Sequence, residues 1–299
     1  MDKVHCVWPV AAELGEGPFW SLTEKALWFV DIKGRQIHRF DPATGAGRSW
    51  PAPDQVSFVL PMADGSFVAG LPGRLARFTA ETGEFAPLLS VEQDRPRNRL
   101  NDASTDSRGW LWFGTMDDDE THSHGALYSW EGTALTTCDE GFVISNGPAF
   151  SPDGRFFYHS DTVARTIYRF DVGVGGSLSG KRPFIEIEEG AGWPDGTAVD
   201  AEGRLWIALY GGWAVRCYSP QGDLLETVGL PCAQVTKVAF GGPDLKTAYV
   251  TTAWKGLCTE ERARQSLAGA LFAFDADIPG LPTTPMRESL CLRPAHRSS

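Results

Sequence analysis

No stretch of the 299-residue chain approaches 18 consecutive apolar residues, so no transmembrane helix is expected. Basic residues are scarce, with 27 Lys and Arg against 38 Asp and Glu and a formal charge of −11. That balance argues against nucleic acid, which is gripped by cations that neutralise phosphate. None of the six cysteines (Cys6, Cys138, Cys217, Cys232, Cys258 and Cys291) belongs to a C-x-x-C pair, so no zinc ribbon or thioredoxin-like redox centre is expected. The opening M-D-K-V-H-C-V-W has no basic segment leading into an apolar one, as a secretory signal would. Together these absences point to free thiols in a reducing cytoplasm. G-x-S-x-G is missing too, which removes the nucleophile turn of a serine hydrolase. Long runs of helix formers are also absent, whereas Gly at 33 and Trp at 11 are high. Many short strands joined by tight turns would produce that mix.

One pattern then recurs along the chain. A short aromatic or aliphatic strand starts at Leu27 (L-W-F-V-D), Phe67 (F-V-A-G), Leu111 (L-W-F-G-T), Phe157 (F-Y-H-S-D), Leu205 (L-W-I-A-L) and Ala248 (A-Y-V-T-T), at intervals of 40, 44, 46, 48 and 43. Turns precede most of them, as in M-A-D-G-S, S-P-D-G-R and V-D-A-E-G-R, and amphipathic strands such as I-H-R-F-D follow. Asp-Gly pairs supply the positive φ that tight hairpins need, so Asp64, Asp153 and Asp200 read as turn formers. A four-stranded antiparallel unit of ~40–50 residues, repeated, is the signature of a propeller blade. The expectation is an all-β, six-bladed β-propeller forming one domain over residues 1–299. Its ring would be closed by the strand near Val4–Trp8, and Thr259–Gln265 would form a short helical insert. A sandwich would lack the sixfold period, and a leucine-rich repeat would be about half as long.

Counting back 10 or 11 residues from each strand reaches an equivalent point, the loop entering the innermost strand at one mouth of the channel. Glu16, Asn101, Asn146 and Asp195 stand there; the other two positions fall on Gln55–Ser57 and Thr236–Lys237. Four of six thus carry a carboxylate or carboxamide, several beside Gly or Pro. Converging oxygen donors without sulfur or imidazole suit a hard divalent cation such as Ca²⁺, Mg²⁺ or Mn²⁺. Two carboxylates plus amide oxygens would leave coordination positions open, as a catalytic site requires. Other residues are weaker candidates. His122 and His124 lack a third histidine, His159 reads as a packed polar residue, and Lys237 could either favour an anionic product or be solvated. Trp193, Trp213 and Trp254 could wall a sugar ring or pack blades.

The motifs L-G-E-G-P-x-W, R-x-N-D, G-T-M, S-N-G-P, P-D-G and F-G-G-P-D-x-K-x-x-Y-x-T-T-A occur in an order that resembles the SMP-30/gluconolactonase/regucalcin family. The D-Q-V at Asp54 and the N-D-A-S-T-D-S-R-G-W-L-W-F-G-T-M run look most like bacterial xylono-, arabino- and gluconolactonases. The resemblance implies a metal-dependent lactonase that opens a sugar lactone, a small-molecule partner. It places metal ligands on Glu16, Asn146 and Asp195, with Asp195 as general base, and substrate contacts on Arg99, Asn101 and Asp119. Asp119 stands there for a family glutamate. The ion could be calcium, zinc, manganese, magnesium or iron(II). A monomer or small homo-oligomer is expected, and the rivals are a calcium-binding propeller without activity and a paraoxonase-like esterase.

Overall fold

A computed structural model describes residues 4–287, whose regular secondary structure is almost entirely strand. Four antiparallel sheets of four strands follow one another along the chain, each laid down in sequence order as a meander. The first, for example, runs Gly15–Ser21, Ala26–Asp31, Gln36–Asp41 and Ala46–Pro51. The remaining strands among the described residues form an eight-stranded sheet whose two halves are joined by one residue pair, Tyr210 with Gln234.

The leading strands of successive units pack side by side and close on themselves. Gly15–Ser21 lies against Phe58–Pro61, then Asn98–Thr105, Ser145–Phe150, Trp193–Val199 and Gln234–Gly241 follow, and the last returns to Gly15–Ser21. The fold is an all-β, propeller-like ring. Strand His5–Trp8 pairs antiparallel with Leu271–Asp275, so the first and last strands among the described residues share one sheet. The short helix is present at Thr259–Arg264.

Large apolar side chains fill the space between sheets. Trp28 stacks on Trp50 at 5.0 Å, Trp112 meets Phe157 at 5.2 Å, and Trp206 meets Phe240 edge-on at 5.8 Å. The turn carboxylates brace two of these rings. Asp200 accepts the backbone N–H of Glu202 and Arg204 while also taking the Trp206 indole N–H at 2.9 Å. Asp106 does the same for Arg108, Trp110 and Trp112. A buried carboxylate with this many donors fixes a hairpin and a core tryptophan together.

After the last strand the chain crosses the end of the ring remote from Glu16 and Asp195. Ala201 N–H binds the Pro279 carbonyl, Thr105 the Thr284 carbonyl, and Met286 N–H the Pro61 carbonyl. Cys6, Cys138, Cys217, Cys232 and Cys258 form no disulfide among the described residues, and Cys291 lies outside them. Among the described residues no helix is long and apolar enough to cross a membrane.

Candidate active site

Glu16, Asn101, Asn146 and Asp195 lie inside the leading strands rather than in loops entering them, which corrects the expected placement. What distinguishes these strands is a break in pairing at the same level. Register shifts occur between Glu16 and Phe19, Leu100 and Ala103, Asn146 and Ala149, Pro194 and Thr197, and Val235 and Lys237. Phe58–Pro61 pairs without interruption and contributes no polar group of this kind. A bulge bends its strand and re-aims a side chain, so each shift turns a residue that would face a neighbouring sheet toward the axis. Gly17 and Gly147 adopt positive φ there, at 55° and 57°. A Cβ on Gly147 would stand 2.8 Å from the Thr197 hydroxyl, so glycine is required for space as well as for conformation.

The polar groups form a continuous chain across three units. Arg99 donates to Asp118 at 2.7 Å and to the Asn101 side-chain oxygen at 2.6 Å. Asn101 donates to the Asn146 side-chain oxygen at 2.7 Å, and Asn146 donates to Thr162 at 3.0 Å. Thr162 ends the chain on the Pro194 carbonyl at 2.8 Å, beside Asp195. Arg99, Asn101, Asn146 and Asp195 are all buried, and so is Glu16.

Glu16 and Asp195 both line one cavity and lie close enough for the charge on one to disfavour charge on the other. Burial pushes the Glu16 carboxyl from 4.5 up to about 7, with the nearby Asp102 charge adding to it. Asp195 is raised well above the usual carboxylate range by burial and then by Glu16. Two desolvated carboxylates that face each other cannot both ionise without a cation between them. The donors that meet here are carboxylate and amide oxygens only. Among the described residues no three His, Cys, Asp or Glu side chains form a ligating cluster, so an ion held here would need an amide oxygen such as that of Asn146 as well. Hard oxygens, like charges in close approach and a free face toward a cavity fit a divalent ion such as calcium, magnesium or manganese.

That cavity holds about 340 Å³ and is lined by Glu16, Arg99, Asn101, Asn146 and Asp195 on its polar side. Leu14, Met116, Ile144, Val163 and Trp193 form the apolar side. A larger cavity of about 600 Å³ opens at the other end of the ring but contains none of the converging carboxylates. Glu16 and Asp195 sit in the smaller one.

The profile of the SMP-30/gluconolactonase/LRE-like region matches residues 14–254. The chain belongs to that family. Among its relatives, a pentonolactonase of Haloferax volcanii is 37% identical over 91% of this chain and 94% of its own length. A 6-deoxy-6-sulfogluconolactonase of Pseudomonas putida is 32% identical over 93% of this chain and 97% of its own. The crystal structure of a regucalcin from Agrobacterium tumefaciens, described as a calcium-binding protein, superposes with a TM-score of 0.90 at 28% identity, covering 94% and 96% of the two chains.

In this member of the SMP-30/gluconolactonase family Asp119 does not reach the cavity. The strand Leu111–Asp117 ends and the chain turns back, with Glu120 N–H on the Asp117 carbonyl and Glu120 at a φ of 57°. This turn leaves Asp119 exposed and sends Glu120 over the mouth, where it lines the cavity and meets Lys255. Glu120 is therefore the acidic side chain at the position that Asp119 was expected to fill. Tyr210 and Lys255 also line the cavity and carried no sequence signal. Burial raises the Tyr210 phenol, and Asp195, Glu120 and Glu16 add to the effect.

Lys237 is neither solvated nor presented to the cavity; it is buried and donates to Asp102. His159 is buried and bonds Ser145 at 2.8 Å. His122 and His124 stack on each other in an exposed loop, with His122 against Asp117. Trp193 lines the cavity, whereas Trp254 packs beneath Arg262 and Trp213 is exposed on the surface.

Proposed function

We propose that this chain is a metal-dependent sugar lactonase that hydrolyses an aldonolactone, such as xylono-, arabino- or gluconolactone, to the aldonic acid. In this reading residues 1–299 form one domain, a six-bladed propeller, acting in the cytoplasm as a monomer or small homo-oligomer. The observation that carries the reading is that Glu16, Asp195 and Asn146 line one cavity of about 340 Å³, large enough to admit a sugar lactone. The names of the Haloferax and Pseudomonas relatives point the same way.

Glu16, Asn146 and Asp195 would hold the ion; when bound, a divalent cation supplies Lewis-acid polarisation of the lactone carbonyl and makes nearby water more acidic. The chain's own residues do the rest. Asp195 takes the proton of the attacking water; since direct ligation would lower a carboxylate's basicity, an oxygen that does not hold the ion would serve as the base. Hydroxide adds to the carbonyl carbon, the ring C–O bond breaks, and the departing alkoxide recovers the proton from Asp195. Arg99, Asn101 and Glu120 face the ring hydroxyls, where a sugar lacking a partner would leave a buried polar group unpaired. Leu14, Ile144 and Trp193 cover the C–H face of the ring.

The regucalcin likeness supports a second reading, a propeller that binds calcium without turnover. A pH-indicator assay across pentono- and hexonolactones, on metal-stripped protein with single ions restored, separates the two. Acid release above the spontaneous rate, dependent on an added ion, supports the lactonase. Ion binding without acid release supports the other. Hydrophobic lactones and organophosphates in the same assay test for a paraoxonase-like esterase.

A further inference from the structure

Beneath the two carboxylates lies an ion pair with no part in the chemistry just described. Lys237 is on Gln234–Gly241 and Asp102 on Asn98–Thr105, strands from different units. Their side chains are 8% and 2% exposed, and the ammonium donates to Asp102 Oδ1. Burying a lone Lys–Asp pair gives little net stability, because desolvation offsets most of the attraction. A buried pair at this position therefore invites a role other than stability.

Its contacts suggest one. Asp102 Oδ2 accepts the backbone N–H of Gly147 at 2.9 Å, the residue that follows Asn146. Asp102 Oδ1 also accepts its own neighbour's N–H, Ala103, at 2.8 Å, which fixes the carboxylate within its bulge. The Lys237 stem lies on Gly196, the residue that follows Asp195; a Cβ on Gly196 would stand 2.5 Å from Lys237 Cβ and 2.7 Å from Cδ. One end of the pair thus holds the Asn146 bulge and the other the Asp195 bulge. Lys237 also lines the larger cavity at the far end of the ring, so the pair forms part of the partition between the two spaces.

We propose that Lys237 and Asp102 are positioning residues that lock the Asn146 and Asp195 bulges at one spacing across the axis, so that their oxygens fit one ion. The proposal rests on the lactonase reading above. Groups that orient ligands from behind typically change metal affinity or activity by about 10–100-fold when removed.

The test is the double variant Asp102→Asn with Lys237→Met. It removes one negative and one positive charge together, so the net charge under the site is unchanged and a change in affinity reports geometry. Neutral groups of similar shape commonly replace a buried pair without loss of stability. Mn²⁺ is titrated into the metal-free protein by calorimetry, and kcat and KM are measured on the best lactone. The expected result is a wild-type melting temperature within a few degrees, Mn²⁺ affinity weaker by about tenfold or more, and kcat reduced more than KM is raised. Wild-type affinity and kcat in the double variant would overturn the proposal, since a pair with only a structural role is replaced once the fold recovers. If the double variant does not fold, Asp102→Glu keeps both charges but lengthens the side chain that holds Gly147, and unchanged Mn²⁺ affinity there also overturns it. A wild-type chain that neither binds Mn²⁺ nor opens a lactone would instead refute the lactonase reading.

Discussion

Replacing Glu16 with glutamine is expected to stabilise the metal-free protein above neutral pH while weakening metal binding. In the folded chain burial and neighbouring Asp102 raise the Glu16 carboxyl from 4.5 to about 7. A group raised on folding contributes its stability below its unfolded value and loses it as pH climbs through the folded one. The wild type should therefore lose stability between about pH 4.5 and pH 7, where the unfolded chain has released a proton that the folded chain still holds. A shift of that size corresponds to about 3 kcal/mol at pH 8. For a chain of this length 1 kcal/mol moves the melting temperature by about 1.5 °C, so the expected gain for Glu16→Gln is roughly 3–5 °C. Differential scanning fluorimetry in chelator at pH 5 and pH 8 measures it: the two proteins should converge at pH 5 and separate at pH 8. Saturating divalent ion should reverse the order, because it stabilises the wild type through linkage and the variant much less. Parallel melting curves at both pH values would refute the electrostatic account of Glu16.

Asp195→Asn should reduce lactone opening to the spontaneous rate without unfolding the protein, as should chelation of the wild type; a pH-indicator assay with circular dichroism checks both. Asn146→Ala should weaken Mn²⁺ binding by about 10–100-fold, read by calorimetry. His38 is pushed down from 6.5 to about 4 by burial, against the pull of Asp31, and its Nδ1 meets Ser49 at 2.8 Å. A depressed histidine loses stability as pH falls from its unfolded value toward its folded one, so urea unfolding at pH 4 should show a loss of up to about 3 kcal/mol relative to pH 7 that His38→Gln removes.

Much of the architecture was legible because each unit repeats the same strand-turn-strand grammar with an interval near 45 residues. The turn acids show why the pattern survives: Asp200 and Asp106 each hold a hairpin and a core tryptophan six residues on. Glu16, Asn101, Asn146 and Asp195, which line one cavity, were visible through their shared distance from those strands. What the distance could not reveal was the bulge. Pairing with period two turns every side chain over when the register slips by one residue, and no local motif marks where Gly17–Pro18 or Gly147–Pro148 drop out of the ladder. Asp119 was misplaced for a related reason. Glu120, one residue later, takes a left-handed conformation after the strand ends, and side-chain direction through such a turn follows from tertiary packing. Lys237 and Asp102 are 135 residues apart, and no single-sequence signal pairs them.

The central claim, that Glu16, Asn146 and Asp195 surround one ion, is tested most directly by titrating Mn²⁺ into the metal-free protein and into the three alanine variants. The account predicts one equivalent bound by the wild type, and affinity lowered by about tenfold or more in every variant. Wild-type stoichiometry and affinity in all three variants would contradict it.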